Sequence, residues 1–254
     1  SPVKHITYKA ADGTSIPAYL TLPAGSTGKK LAAVVLPHGG PSSRDEWGFD
    51  WLAQFLAARG YAVIQPNYRG SAGYGDDFQG ANGFKDWKKA VSDVNDSARY
   101  LVDQGIADGG RLAIVGWSYG GYAALQAGAV DPARYKAIAA IAPVTDLGLL
   151  KQQADDYTNS ALVRDFVGSG EHIREGSPLQ NASAIKAPVL LVHGDLDINV
   201  GVDHSVKMAK ALQDLGKPVE LLRYKTLDHQ LEDSDARIQM LTRLGAQLEK
   251  ALGQ

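Results

Sequence analysis

The chain of 254 residues contains no cysteine. That excludes disulfides, thiolate catalysis and Cys-ligated zinc, and leaves the redox compartment undetermined. Basic residues are not in excess either. Lys and Arg number 26 against 28 Asp and Glu, they are scattered singly or in pairs, and the net charge of -2 offers no positive field for nucleic acid. No run of roughly 18 consecutive apolar residues occurs, so no membrane-spanning helix is expected. The histidines at 5, 38, 172 and 193 fall in no metal-ligand spacing such as HExxH, and Gly70–Gly75 lacks the register of a nucleotide loop. Neither a metal nor a cofactor is implied. The start, Ser1-Pro2-Val3-Lys4-His5, has no apolar signal region and no initiator Met, which suggests a chain processed or excised from a longer precursor. The compartment, cytoplasmic or periplasmic and secreted, stays open.

What is present is a rhythm of short aliphatic runs and longer helical patterns, the signature of parallel strands joined by crossover helices. Two edge strands are expected around Ile6–Tyr8 and Pro17–Leu22, and buried strands at 31–36, 61–65, 112–115, 137–141, 189–192 and 219–224. Between them, Trp51, Leu52, Phe55 and Leu56 mark one helix face, and Val91, Val94, Ala98, Leu101 and Val102 another. Val202, Val206, Ala209 and Leu212 are expected to face inward from a third helix, and Ile238, Leu241, Leu244, Leu248 and Leu252 from the last. With 44% hydrophobic residues the whole of 1–254 reads as one α/β domain, a mostly parallel sheet flanked by helices on both faces. Only residues 146–187 break the rhythm. This long polar stretch is expected to be a lid or rim insert over the carboxyl ends of the strands.

The most informative string is Gly116-Trp117-Ser118-Tyr119-Gly120-Gly121, directly after Leu112-Ala113-Ile114-Val115. Small residues two before and two after a serine let a strand turn sharply into a helix and lift the hydroxyl clear of the sheet, which makes a nucleophile elbow. A serine hydroxyl is a weak nucleophile near neutrality, so it needs an imidazole to take its proton and a carboxylate to orient that ring. In the α/β-hydrolase order both lie downstream, carboxylate first. His229 follows the last strand, where a loop can reach the sheet edge, whereas His204 falls in the first turn of a helix. Of the carboxylates in His193-Gly194-Asp195-Leu196-Asp197, Asp197 lies farther past its strand end and can point across to the next loop. Asp195 is expected to stabilise the turn, and Asp228 to be a solvated loop charge. The oxyanion of a tetrahedral intermediate needs two preorganised donors. The Tyr119 N–H and the Gly40 N–H of His38-Gly39-Gly40-Pro41 are the candidates.

Four strings in this order, HGGP, NYRGSAGYG, GWSYGGY and HGDLDINV, resemble the catalytic domain of the prolyl oligopeptidase family of serine peptidases, especially its acylaminoacyl-peptidase-like branch. The resemblance runs from about Tyr8 to the C-terminus. It implies an α/β-hydrolase fold with Ser118 as nucleophile, Asp197 as its acid partner, His229 as general base, and Gly40 and Tyr119 as oxyanion hole. It further implies cleavage of peptide or acyl-peptide bonds, with Tyr68 and Arg69 either shaping the active-site border or touching substrate. Two departures stand out. The family usually carries an N-terminal β-propeller that nothing here precedes, so the chain is expected to be a fragment, or else a stand-alone hydrolase. The family also places Gly before its histidine where this chain has Asp228, which adds a side chain and a negative charge. A carboxylesterase or a silent hydrolase-fold interaction module are the alternatives. A propeller domain and further copies of the chain are the open partners.

Overall fold

The computed structural model describes residues 1–253. In chain order it forms β1 (Val3–Lys9), β2 (Ser15–Thr21), β3 (Leu31–Val35), α1 (Trp51–Ala58), β4 (Ala62–Pro66), α2 (Asp76–Gly80), α3 (Trp87–Asp103), β5 (Ala107–Trp117) and α4 (Tyr119–Val130). There follow β6 (Ala137–Ile141), α5 (Leu147–Ala154), α6 (Ser160–Val167), α7 (His172–Glu175), a 3₁₀ segment (Pro178–Ala184), β7 (Val189–Gly194), α8 (Asp203–Asp214), β8 (Val219–Tyr224) and α9 (Ser234–Leu252). The strands make one sheet in the order β1-β2-β4-β3-β5-β6-β7-β8, antiparallel from β1 through β4 and parallel from β4 to β8. This is the α/β-hydrolase architecture.

Side-chain alternation along the strands divides the core into two halves. In β5, Leu112 and Ile114 point to the face covered by α3, α4 and α8, while Ala113 and Val115 point to the face covered by α1 and α9. β6 and β7 alternate in the same way, so each central strand is apolar on both sides. Helix entry is set by Asp50, Asp146 and Asp233, whose side chains accept the N–H of Ala53, Leu149 and Ala236 at α1, α5 and α9.

Four expectations need correction. β2 is an interior strand, paired with β1 on one side and β4 on the other; β1 and β8 are the edges. β8 is half-buried rather than buried, because no strand lies beyond it. Ile238 is 62% exposed, since α9 turns Ala236, Met240, Leu244, Leu248 and Leu252 inward on a face that excludes it. On α8 the inner face is His204, Ser205, Met208, Ala209 and Leu212, with Val202 and Val206 only half-buried. Each polar member has a buried partner on one side: Thr145 N–H donates to His204 Nδ1 at 3.0 Å, while His204 Nε2 has none among the described residues, and Ser205 Oγ lies 2.7 Å from His193 Nδ1.

Residues 146–187 hold α5, α6, α7 and the 3₁₀ segment and are tied to the core. Leu147, Ala154, Val167, Pro178 and Ala182 are buried. Tyr122 of α4 donates to the Gly176 carbonyl at 2.6 Å and Gln126 to that of Glu175 at 3.0 Å. Among the described residues no helix is long and apolar enough to cross a membrane.

Candidate active site

Ser118 sits between the end of β5 and the start of α4 with φ 61° and ψ -119°, a conformation costly for any residue with a Cβ. The surroundings hold it there. The Ser118 N–H donates to the Ile141 carbonyl of β6 at 2.7 Å, and its carbonyl accepts from the Tyr122 N–H at 3.1 Å. The flanking glycines are sterically required. A Cβ on Gly116 would lie 1.9 Å from the Gly120 carbonyl oxygen, and one on Gly120 would lie 2.2 Å from that of Pro37. The turn is thus packed so closely that strand, helix and the loop after β3 touch backbone to backbone.

That neighbouring loop carries His38 to Pro41. A Cβ on Gly39 would stand 3.3 Å from the Trp117 carbonyl oxygen and 3.6 Å from Ser118 Cβ, so the loop passes directly over the elbow. Gly40 has φ 118° and accepts no side chain, because a Cβ there would lie 2.8 Å from the Ser42 nitrogen. Among the described residues, neither the Gly40 N–H nor the Tyr119 N–H donates to a protein acceptor. Both are free donors beside Ser118.

The loop is fixed from behind. The His38 ring stacks on Tyr68 with centroids 4.4 Å apart, and the Tyr68 hydroxyl donates to the His38 carbonyl at 2.7 Å. His38 Nδ1 donates to the Gly39 carbonyl at 2.5 Å, which leaves Nε2 to accept from Ser71 Oγ at 2.8 Å. Burial pushes the His38 pKa down to about 4, so the ring works as a neutral clamp. Tyr68 is fully buried. Arg69 is bound through Nε and Nη2 to Asp93 at 3.0 and 2.8 Å and through Nη1 to Asp12 at 2.5 Å. Both side chains are engaged as scaffold, and neither lines the cavity at Ser118.

Asp197 and His229 come from the loops after β7 and β8. Asp197 Oδ1 accepts from the Asn199 and Val200 N–H groups at 2.9 and 2.8 Å, and Oδ2 accepts from His229 Nδ1 at 2.6 Å. Burial alone would raise the Asp197 carboxyl. Donors from His193, His229 and the Val200 N–H outweigh it and hold the group well below the usual carboxylate range. With Nδ1 donating to a carboxylate, Nε2 of a neutral His229 carries the free lone pair. Ser118 and His229 both line a cavity of about 540 Å³, together with Gly39, Gly40, Trp117 and Asn199. The two side chains face this shared space without a formed hydrogen bond between them; such contacts commonly tighten only when substrate is present.

The rejected candidates have other duties. Asp195 pairs with Arg223 of β8 at 3.0 Å, Asp228 accepts from the Gln230 N–H at 3.0 Å, and His204 is fully buried beneath Thr145. Two contributors escaped the sequence reading. His193, set aside for want of a metal-ligand spacing, lies 3.4 Å from Asp197 Oδ2, and its only signal was a position four residues before that carboxylate. Trp117 donates from Nε1 to the His229 carbonyl at 3.1 Å, a contact no local pattern announces. The cavity wall takes no residue from 146–187. Among the described residues no group of three or more His, Cys, Asp or Glu could hold a metal ion.

Comparison with known proteins gives the family. The chain is 34% identical to dipeptidyl aminopeptidase BIII of Pseudoxanthomonas mexicana over 86% of its length, which is 34% of that protein. It superposes on a puromycin-hydrolyzing peptidase of Mycobacterium tuberculosis with a TM-score of 0.91 at 30% identity, covering 100% of this chain and 40% of the other. An acylaminoacyl peptidase of Pyrococcus horikoshii gives a TM-score of 0.88 at 25% identity, covering 100% of this chain and 42% of that one. The chain spans about a third of the length of the curated relatives it matches. The profile of the prolyl oligopeptidase family matches residues 47–254, and with the fold and relatives above it follows that the chain belongs to that family.

Proposed function

We propose that this chain is the catalytic portion of a serine peptidase that cleaves peptide or acyl-peptide bonds through a covalent acyl-enzyme. The observation that carries the reading is the 2.6 Å contact from His229 Nδ1 to Asp197 Oδ2 at the edge of a cavity that also holds the elbow serine. In this mechanism Ser118 Oγ attacks the scissile carbonyl carbon while His229 Nε2 takes its proton. Asp197 stays ionised and stabilises the imidazolium. The carbonyl oxygen, now negative, is received by the free N–H groups of Gly40 and Tyr119, donors that need no reorganisation as charge develops. Collapse of the tetrahedral adduct expels the amine, which leaves with the proton held by His229. Water, activated by the same imidazole, then releases the acyl group and restores Ser118.

The relatives' names support amide substrates at a peptide end, since they include a dipeptidyl aminopeptidase and an acylaminoacyl peptidase. A fluorophosphonate probe followed by peptide mapping tests the nucleophile. Labelling at Ser118 in the wild-type chain, and its loss in Ser118→Ala, is the expected result. Turnover of N-acylated and free-amino peptides of graded length, read by mass spectrometry, then tests the substrate class. Hydrolysis of p-nitrophenyl esters with no peptide cleaved would reassign the chain as an esterase. Failure of the wild-type chain to label across a broad pH range would refute the enzymatic reading.

A further inference from the structure

Behind the Asp197–His229 pair lies a second histidine that the mechanism above does not use. His193 is the penultimate residue of β7, is fully buried, and has both ring nitrogens engaged. Its Nε2 lies 2.7 Å from the Val200 carbonyl, which can only accept, so Nε2 carries the hydrogen. Nδ1 then accepts from Ser205 Oγ at 2.7 Å in the neutral ring. The same nitrogen lies 3.4 Å from Asp197 Oδ2, the oxygen that His229 uses, close enough for its N–H dipole to act on that charge. Val200 also returns to the carboxylate, since its N–H donates to Asp197 Oδ1 at 2.8 Å. One ring therefore touches both oxygens of Asp197, one through space and the other through Val200.

We propose that His193 is a positioning residue, which clamps the Asp197 loop through Val200 and competes with His229 for Asp197 Oδ2, so that it sets how strongly the carboxylate draws the His229 ring. The inference rests on the peptidase reading for its kinetic part only. The charge balance gives its sign. Removing His193 takes a positive dipole end from Oδ2 and loosens the Val200 donor on Oδ1, which concentrates negative charge on Asp197. The His229 hydrogen bond strengthens and its imidazolium is favoured. Other charged or titratable groups around this network are His204 and Lys207 on α8, and His38, Asp45, Asp50 and Arg237 around the cavity. Burial keeps His204 neutral, with its pKa pushed down to about 3. Asp45 titrates nearer neutrality, so profiles are compared in an Asp45→Asn background.

The test uses His193→Phe, His193→Gln and Ser205→Ala, read by the low-field proton resonance of His229 Nδ1–H and by the acid limb of kcat/KM against pH. In His193→Phe the resonance is expected to move further downfield and the acid limb to rise by about half a pH unit, the scale of a weakened contact to a charge. The Gln variant, whose amide keeps a donor near the Nε2 position, should return both toward wild type. Ser205→Ala, which frees the tautomer without removing the ring, should shift both in the Phe direction by less. Unchanged resonance and acid limb in a stably folded His193→Phe would overturn the proposal. If that variant does not fold, Ser205→Ala decides by the same two readouts. A wild-type chain that turns over no substrate would sink the peptidase reading, and the resonance alone would then judge His193.

Discussion

Trp117, the residue before the elbow serine, holds the main chain of the histidine loop: its indole Nε1 donates to the His229 carbonyl at 3.1 Å. The strand that ends before Ser118 and the loop that carries His229 are thereby joined directly. Trp117→Phe keeps an aromatic ring beside Trp51, which Trp117 meets edge to face at 6.1 Å, and removes the donor with part of the ring. We expect kcat/KM to fall about tenfold while stability changes by about 1 kcal/mol, the usual worth of one hydrogen bond. Steady-state kinetics together with thermal unfolding of the same preparation check both halves.

At Ser118 the backbone conformation that exposes the hydroxyl opposes stability. Glycine tolerates φ 61° with ψ -119°, so Ser118→Gly should abolish probe labelling and raise the unfolding free energy by about 1 kcal/mol. Ser118→Ala loses labelling too but keeps the strain, and its stability should stay near wild type. Urea titration of the three proteins separates these outcomes, and a Gly variant less stable than Ala would contradict the strain assignment.

Gly120 is the point at which steric room runs out. A Cβ there would meet the Pro37 carbonyl oxygen at 2.2 Å, backbone against backbone, with no flexible side chain to yield. Gly120→Ala is expected to cost upwards of about 3 kcal/mol, at the severe end of overpacking, and to disable the site by displacing the loop that carries Gly40. The comparison is Gly80→Ala, at a site with nothing within 4 Å of the added carbon, where stability should change by less than about 1 kcal/mol.

Asp45 supplies a pH signature. Burial, with Asp50 nearby, raises its pKa to about 7, and Oδ2 is buried without a hydrogen-bond partner. The folded chain therefore holds a proton that the unfolded chain, with an ordinary aspartate, has released. The stability this proton confers is complete below about pH 4 and is lost as pH rises through about 7. Asp45→Asn should be more stable than wild type at pH 8 by on the order of 2 kcal/mol, discounting the full shift because the residue is only partly buried. The gap should close near pH 4. Melting temperatures across that range measure it, and a constant gap would rule the linkage out.

Much of the site was legible because its chemistry is written in short strings. Glycines around Ser118, the HGGP turn and the pair of aspartates after β7 each demand a local backbone shape, and local shape is what neighbouring residues determine. The limits of β6 and β8 agree with the aliphatic runs for the same reason. Non-local facts were not legible. That β2 lies inside the sheet depends on its pairing with β4 across a long stretch of chain, and an alternating strand reads alike at an edge or one place in. Trp117 bonds to the loop after β8, and nothing in its own flanking residues distinguishes it from a core side chain; His193 carried only its spacing of four residues from Asp197. Ile238 was misjudged because an apolar residue on a long helix can occupy the wet side at small cost.

The sheet order has a consequence for biosynthesis. On the proposed mechanism, Ser118 and its oxyanion donors are encoded in the first half of the chain, but the proton acceptor His229 comes after the last strand, on a loop held by Asp197 and Trp117. A nascent chain emerging from the ribosome can dock β3 against β5 long before β8 exists to carry the imidazole. Throughout most of its translation the polypeptide would display a serine without a base, and so could not attack its own unfolded segments or those of its neighbours.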